Sequence, residues 1–303
     1  MLSSSIPFFD RPISRLVIGS MAFSMENLDS SFETLDEYVR LGGNCIDTAT
    51  VYGPSRHNLV GEYLKARGRN TLVILDKGCH PSNRKRVTKE DMKEDILANQ
   101  ERMGIDHTDL FLLHRDDPDV PVGAIVDWLN AHKEAGQISA FGGSNWTHNR
   151  IAEANQYAAE HGLQGFSLSS SNLALARTNE PMWAGALSLD SEERRWYETS
   201  QFPLFSWSSG AGGFFAGFGS DDVKRVYHNH ENFARKDRAT ELADRYGVSP
   251  TQIAVAWTLN QPLNVSAIVG PKTPEEVRDN LGVVGLKLSP QELRYLEFGG
   301  ENT

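Results

Sequence analysis

The chain has 303 residues and a formal net charge of -10, with 39% hydrophobic and 23% charged residues. This composition is typical of a globular protein with a sizeable core, so it argues against an intrinsically disordered chain. The acidic balance argues against nucleic-acid binding, because that binding depends on Lys and Arg to neutralise phosphates. A small-molecule ligand is favoured instead.

The two cysteines and the N-terminal segment bear on the compartment. Cys45 and Cys79 lie in or just after apolar runs and do not form a spaced disulfide framework. The first 12 residues lack the basic start and apolar stretch of a signal peptide. No apolar run approaches the roughly 20 residues that are needed to span a bilayer. We therefore expect a cytoplasmic protein with no membrane partner.

Short apolar runs alternate with longer amphipathic segments along the chain, which is typical of repeated strand and crossover-helix units. Eight runs are apolar on both faces, as buried parallel strands are. They are residues 15–19, 44–47, 72–75, 110–113, 138–141, 165–168, 203–206 and 265–269. Helical spacing lies between them, as in Phe32, Leu35 and Val39, and Thr88 and Ser249 are placed to begin helices.

Eight strands with eight intervening helical segments favour a closed barrel over an open doubly wound sheet. The sequence therefore predicts an α/β protein in which residues 1–303 form a single (β/α)8 TIM barrel domain. Two connections are long, at about residues 176–201 and 208–231. Both would emerge at the carboxyl ends of strands, where barrel active sites lie, so we expect them to build a substrate pocket or a cofactor clasp.

Four polar residues follow the ends of the second, third and fourth predicted strands. Asp47 closes the second strand, Tyr52 follows it in a Gly-Pro turn, Lys77 ends the third and His114 ends the fourth. Each alone has an ordinary structural explanation, such as a helix cap, a packed turn or a structural histidine. Because the carboxyl ends of barrel strands meet at one mouth, their joint placement predicts an active site.

The stretches around these four residues carry a family resemblance. They are residues 43–49, 51–53, 109–114 and 143–145, with Lys77, Val269, Gly270, Asp279 and Asn280. In them the chain resembles the aldo-keto reductase superfamily over nearly its whole length. The resemblance implies an oxidoreductase that transfers hydride between a nicotinamide cofactor and a carbonyl group.

The resemblance also implies a catalytic role for each of the four residues. Tyr52 is the general acid, and since free tyrosine loses its proton only near pH 10, its phenolate must be stabilised. Lys77 supplies the positive charge, Asp47 holds that ammonium, and His114 hydrogen-bonds the substrate oxygen. This chemistry needs no metal, and the sequence has no metal motif such as H-E-x-x-H.

Cofactor binding has to use elements other than a Rossmann fold, because no G-x-G-x-x-G follows the first strand. The resemblance implies a carboxamide-binding pair after the fifth strand, an aromatic ring against the nicotinamide, and a small-residue loop and a helix start that approach phosphates. The candidates are Ser144, Asn145, Ser170, Trp207, Ser208, Gly210, Gly213, Gly270, Lys272, Thr273, Glu276 and Asn280.

Two of these candidates depart from the family pattern. Ser170 stands where many relatives carry a Gln that contacts the carboxamide, and Glu276 stands where some relatives place an Arg against the 2′-phosphate. A carboxylate there repels a phosphate, although Lys272 or Arg278 could supply the missing charge. We expect NADP(H) as the cofactor, with NAD(H) as the alternative.

The substrate is expected to be an aldehyde, ketone or sugar carbonyl, and the polar residues of the loops favour a sugar. The candidate pocket walls are Phe23, Trp146, Trp183, Phe214 and Phe215, with Arg177 and His80 as polar contacts. Two alternatives stay open: an NAD(P)-dependent sugar dehydrogenase, and a slow cofactor-binding regulatory subunit like the potassium-channel β-subunits. An aldolase that uses Lys77 as a Schiff base is disfavoured, because an Asp-paired lysine stays protonated. The resemblance implies a monomer.

Overall fold

The computed structural model describes residues 3–300, and its central feature is a closed barrel of eight parallel strands. An antiparallel hairpin, β1 (Ser3–Ile6) and β2 (Phe9–Ser14), precedes it. The barrel strands are β3 (Leu16–Gly19), β4 (Cys45–Asp47), β5 (Val73–Gly78), β6 (Thr108–Leu113), β7 (Ile138–Ser144), β8 (Leu168–Ser170), β9 (Leu204–Ser206) and β10 (Val265–Val269). This architecture confirms the predicted (β/α)8 fold.

Helices cover the outside of the barrel. They are α1 (Leu28–Arg40), α2 (Pro54–Arg67), α3 (Lys89–Met103), α4 (Val122–Glu134), α5 (His148–His161), α6 (Ser191–Ser200), α7 (Asp221–Tyr227), α8 (His230–Tyr246), α9 (Pro250–Leu259), α10 (Pro274–Leu281) and α11 (Pro290–Phe298). Thr88 caps α3 and Ser249 caps α9, each accepting a backbone hydrogen bond, which confirms both predicted helix starts. None of the helices in residues 3–300 is long and apolar enough to cross a membrane.

The sixth strand begins later than the sequence predicts. Residues 165–168 were expected there, but β8 runs from Leu168 to Ser170. The side chain of Asn155 in α5 holds the backbone of Phe166, two residues before the strand, because Asn155 Oδ1 accepts a hydrogen bond from the Phe166 amide at 2.6 Å. The strand residues that do pair are mostly serines, so the apolar run marks the approach to the strand rather than the strand itself.

Both long connections contain helical structure. Within residues 176–201, α6 occupies Ser191–Ser200, so the open part of that connection ends at Asp190. Within residues 208–231 a short 3-10 segment, Ala211–Ala216, is followed by α7. Both connections are therefore partly helical rather than extended open loops.

The hairpin helps to fill the interior of the barrel. Ile6 and Ile13 are buried in one apolar cluster with inward-facing strand residues such as Cys45 and Val73, the first residues of their strands. The barrel end at which the strands begin is therefore packed with apolar side chains. The polar residues lie at the opposite end, where the strands finish. Sequence patterning missed the hairpin, because β1 is largely serine and β2 contains charged and proline residues.

Close contact between β7 and β8 depends on a glycine. A Cβ atom added at Gly142 would lie 1.8 Å from the carbonyl oxygen of Leu168, its register partner in β8. A backbone oxygen cannot move aside without separating the two strands. The barrel wall next to Ser144 and Ser170 is therefore fixed by the absence of a side chain at this position.

We predict that Gly142→Ala lowers the free energy of unfolding by about 1–3 kcal/mol, the usual cost of overpacking a core. Gly285→Ala is the matched control, because a Cβ there has no neighbour within 4 Å. Urea denaturation of both variants and the unmodified chain measures the effect. Equal midpoints for Gly142→Ala and the unmodified chain would contradict this explanation.

Candidate active site

The four predicted catalytic residues meet in one cavity at the carboxyl ends of the strands. Asp47 ends β4, Lys77 lies near the end of β5, His114 directly follows β6, and Tyr52 lies in the short 3-10 turn Thr50–Tyr52. All four line a cavity of about 380 Å³, which we call the mouth cavity. β4, β5 and β6 are neighbours in the barrel, and this adjacency brings the side chains together.

Lys77 and Asp47 form a buried ion pair. Lys77 Nζ donates to Asp47 Oδ1 and, at 3.2 Å, to the carbonyl oxygen of Thr48. Only 3% of Lys77 and 4% of Asp47 is exposed, so water does not screen their attraction. Burial alone would lower the pKa of Lys77, but the nearby Asp47 and Tyr52 raise it above its ordinary value. The ammonium therefore stays charged at neutral pH.

The tyrosine ring faces this ammonium. Lys77 Nζ lies 5.4 Å from the centre of the Tyr52 ring. Burial raises the pKa of Tyr52, and the positive charge of Lys77 acts in the opposite direction. The hydroxyl is thus protonated at neutral pH and can act as an acid, while the ammonium stabilises the phenolate that remains after proton donation.

His114 also lies near Tyr52, with the two ring centres 6.0 Å apart and the rings nearly perpendicular. Burial, together with the charges of Lys77 and Arg115, lowers the pKa of His114 well below its ordinary value. The imidazole is therefore neutral near pH 7. Its Nδ1 atom is buried and has no hydrogen-bond partner among residues 3–300.

A buried polar network fixes the backbone around Lys77. Asp76 accepts hydrogen bonds from the Lys77 amide at 2.9 Å and from Asn99 Nδ2 at 2.9 Å, and it contacts His57 Nε2 at 3.0 Å. Asn99 also donates to Thr50 Oγ1 at 2.8 Å, and that hydroxyl lies 3.2 Å from the Lys77 carbonyl oxygen. The network thereby connects the lysine to the turn that carries the tyrosine. No sequence pattern pointed to this network, although Asp76 adjoins Lys77.

The candidate cofactor residues fall into two groups. Nine line the mouth cavity: Ser144, Asn145, Ser170, Trp207, Ser208, Gly210, Gly213, Gly270 and Asn280. The other three, Lys272, Thr273 and Glu276, lie outside its lining, in the exposed segment around the start of α10. The hydroxyl of Thr273 accepts from the Glu276 amide at 3.2 Å, so it acts as the helix cap.

Asn145, which directly follows β7, has a strained backbone conformation and a side chain that hydrogen-bonds residues of two other connections. Asn145 has a positive φ of 61°, a region that asparagine enters more readily than most residues. Its Oδ1 accepts from the Leu187 amide at 2.9 Å and from Trp207 Nε1 at 3.2 Å. Ser144 Oγ donates to the Ser170 carbonyl oxygen at 2.9 Å. The Ser170 hydroxyl itself is buried and has no partner among the described residues.

Four of the five aromatic residues that were expected in the pocket wall lie in the core rather than in the cavity wall, namely Phe23, Trp146, Phe214 and Phe215. Phe23 packs in the cluster under α1 and α2, and Phe214 packs in the cluster under α8 and α9. Trp146 is fully buried against Phe166, with ring centres 4.9 Å apart, and its ring fills the space that Gly143 leaves open. Large aromatic side chains gain most from full burial, and these loop positions provide it.

Trp183 is the one residue of this substrate set that lines the mouth cavity. It is 54% exposed, and its ring centre lies 5.6 Å from that of Trp207. Arg177, expected as a polar contact, instead pairs with Glu297 at 2.8 Å, away from the cavity. The lining also includes Met21 and Arg115, which the sequence analysis did not single out. No group of three or more His, Cys, Asp or Glu residues within residues 3–300 is arranged to hold a metal ion.

Comparison with known proteins identifies the family. Residues 15–298 match the aldo/keto reductase family. The versiconal hemiacetal acetate reductase of Aspergillus parasiticus is 26% identical, over 94% of this chain and 93% of that protein. The norsolorinic acid reductase of Emericella nidulans is 24% identical, over 94% of this chain and 78% of that protein.

A crystal structure of a thermostable aldo-keto reductase in complex with the inhibitor epalrestat shares the fold, with a TM-score of 0.75 and 21% sequence identity. The match covers 99% of this chain and 100% of the other. With the family matched over nearly the whole length, the chain is an oxidoreductase that acts on carbonyl or alcohol groups, and it belongs to the aldo/keto reductase family.

Proposed function

We propose that this protein reduces an aldehyde or ketone with NADP(H), and that Tyr52 donates the proton. The observation that carries the proposal is the buried ion pair of Lys77 and Asp47 beside the Tyr52 ring, in the same cavity as a neutral His114. Reduction leaves an alkoxide that must be protonated, and this cavity offers an acid whose conjugate base is stabilised by a fixed charge.

Each of the four residues has a separate role in the proton transfer. Tyr52 gives its hydroxyl proton to the developing alkoxide, and Lys77 stabilises the phenolate that results. Asp47 keeps the ammonium in place, so no reorganisation is needed when the charge appears. His114 is neutral and donates a hydrogen bond from a ring nitrogen to the substrate oxygen, orienting the carbonyl without competing as an acid.

The mouth cavity also fits a nicotinamide cofactor, which supplies the hydride when it is bound. Ser170 and Asn145 both line the cavity, and the buried Ser170 hydroxyl has no hydrogen-bond partner within residues 3–300, which supports a role in binding the cofactor amide. Ser144 and Asn145 are the further candidates for holding the carboxamide, and Trp207 presents an aromatic ring. Small residues at 208–213 allow a pyrophosphate to approach the backbone closely.

We predict that Tyr52→Phe lowers the kcat for carbonyl reduction by about 10²–10⁴-fold, the usual contribution of a general acid, with little change in cofactor affinity. NADPH consumption with a panel of aldehydes, ketones and sugars measures the rate. The corresponding alcohols with NADP+ measure oxidation, the reverse reaction, which the same four residues would catalyse.

Tyr63→Phe is the matched control, because Tyr63 is a buried tyrosine that hydrogen-bonds Asp36 and lies outside the mouth cavity. It is expected to keep full activity. An undiminished rate in Tyr52→Phe would overturn the assignment of the acid, and absence of turnover in the unmodified chain despite cofactor binding would favour a regulatory subunit.

The preference for NADP(H) rests on the segment around the start of α10. Lys272 is exposed there, and its ammonium pairs with no carboxylate of residues 3–300. Glu276, the residue that would repel a 2′-phosphate, is turned back on its own loop, where Oε2 accepts from the Lys272 amide at 2.7 Å. Arg278 is already paired with Glu37 at 2.8 Å and with Glu275 at 2.5 Å. Of the two cations expected to meet the phosphate, Lys272 and Arg278, Lys272 is therefore the one without a carboxylate partner among the described residues.

We predict that Lys272→Met raises the Kd for NADP+ roughly tenfold and changes the Kd for NAD+ much less, because only NADP+ carries the 2′-phosphate. Glu276→Gln is the companion variant, and removal of its negative charge is expected to lower the Kd for NADP+. Quenching of tryptophan fluorescence on titration with each cofactor gives both constants. Tighter binding of NAD+ than NADP+ by the unmodified chain would contradict the preference.

A further inference from the structure

A buried arginine beside the proposed catalytic histidine has no acidic partner among residues 3–300. Arg115 follows His114 at the end of β6, is only 5% exposed, and lines the mouth cavity. Burial lowers its pKa, but an arginine side chain remains charged throughout the range in which proteins are stable. A buried charge without a counter-charge is costly, so its retention in a cavity wall points to a ligand.

The guanidinium is only partly used by the protein. Arg115 Nε donates to the Ala184 carbonyl oxygen at 3.0 Å, and Nη1 donates to the His114 carbonyl oxygen at 2.8 Å. A guanidinium has five N–H groups, so three of them, including both on Nη2, have no acceptor among residues 3–300. Both acceptors that are present are neutral.

The acidic residues that follow in the chain are directed elsewhere. Asp116 pairs with Arg150 at 3.0 Å, and Asp117 pairs with Lys85 at 2.6 Å. Neither neutralises Arg115, although both are within two residues of it in sequence.

The charged residues that line the mouth cavity have a net charge of one positive unit at neutral pH. Asp47, Lys77 and Arg115 are the charged residues of the lining at neutral pH. The first two neutralise each other in their ion pair, and His114 is neutral. The remaining charge is that of Arg115, which directly follows His114, the residue assigned to the substrate oxygen, and donates a hydrogen bond to its carbonyl oxygen.

We propose that Arg115 binds the carboxylate of the substrate, and that the preferred substrates are oxo acids, aldehydes or ketones that carry a carboxylate group. This inference rests on the proposed carbonyl reduction and specifies its substrate class. A carboxylate accepts two parallel hydrogen bonds from a guanidinium, and such a charge-assisted pair in a buried site is among the strongest polar contacts in proteins. The exposed ring of Trp183 provides an apolar wall in the same cavity.

Arg115 also holds the loop that carries Trp183, through Ala184 and by packing on Gly185. A purely loop-holding role predicts equal damage to charged and neutral substrates when the arginine is replaced. A carboxylate-binding role predicts damage that depends on the charge of the substrate. The two roles are therefore separable by matched substrates.

The test compares 4-carboxybenzaldehyde with its methyl ester, and 4-oxobutanoate with its methyl ester, in steady-state reduction with NADPH. For the unmodified chain we expect kcat/KM to be at least tenfold higher for each acid than for its ester. In Arg115→Met we expect that ratio to fall to about one, mainly through KM for the acid. Arg115→Lys, which keeps the charge, is expected to recover part of the ratio. Arg177→Met is the control, because it removes an arginine outside the cavity, and it should leave the ratio as it is.

Three results would overturn the inference. They are equal kcat/KM for acid and ester in the unmodified chain, equal loss on both substrates in Arg115→Met, and a rise in the Kd for NADP+ in Arg115→Met without a change in the ratio. The second would assign the loop-holding role and the third a contact with a cofactor phosphate. Thermal unfolding of each variant verifies that it is folded, and Arg115→Lys carries the test if Arg115→Met does not fold.

Failure of the proposed function is recognised separately. If no aldehyde is reduced, neither acid nor ester, the carbonyl reductase proposal fails. Binding of the alcohol product 4-(hydroxymethyl)benzoate in the presence of NADP+, measured by calorimetry against its methyl ester, still tests Arg115. Preference for the acid that Arg115→Met abolishes supports the carboxylate site, and equal binding of acid and ester overturns it.

Discussion

The candidate active site depends on one interaction, the ion pair between Lys77 and Asp47 inside the barrel mouth. Two charges removed from water are stable there only because each satisfies the other and because the surrounding strands hold them at a fixed separation. β4 and β5 are adjacent parallel strands in which Asp47 is in register with Leu75, so the two side chains emerge at neighbouring strand ends. Burial is the largest influence on the pKa of Tyr52 and of His114, and the ammonium of this pair acts on both, since it opposes the effect of burial on Tyr52 and adds to it on His114.

The barrel and the catalytic half of the site could be predicted from sequence because both leave strong local signals. A buried parallel strand is apolar on both faces, and the polar residue at its end stands out from the run, as Asp47 and His114 do. Parallel strands in a closed barrel all finish at one rim, so a list of strand ends is also a list of neighbours. The first strand of the barrel and the last were located within a residue or two by the same reasoning.

Other features were missed because their cause lies in tertiary packing. The position of β8 was wrong because a serine-rich strand has no apolar contrast, and the hairpin at the start of the chain was missed for the same reason. Phe23, Trp146 and Phe214 were predicted to line the pocket because they fall in loops. Neighbouring elements bury all three side chains, and the ring of Trp146 occupies the space that Gly143 leaves open. Arg115 could not be recognised as unpaired from sequence, because Asp116 and Asp117 follow it and only the structure directs them to other cations.

We propose that the charge of Lys77 makes Tyr52 a usable acid, and the pKa of Tyr52 in the presence and absence of that charge is the measurement that tests this role. It can be followed by the NMR chemical shift of tyrosine labelled with ¹³C at Cζ, assigned by comparison with Tyr52→Phe. We expect Tyr52 to titrate at a lower pH in the unmodified chain than in Lys77→Met, since loss of the ammonium leaves the phenolate unstabilised in a buried site. The same pKa in both proteins would contradict it.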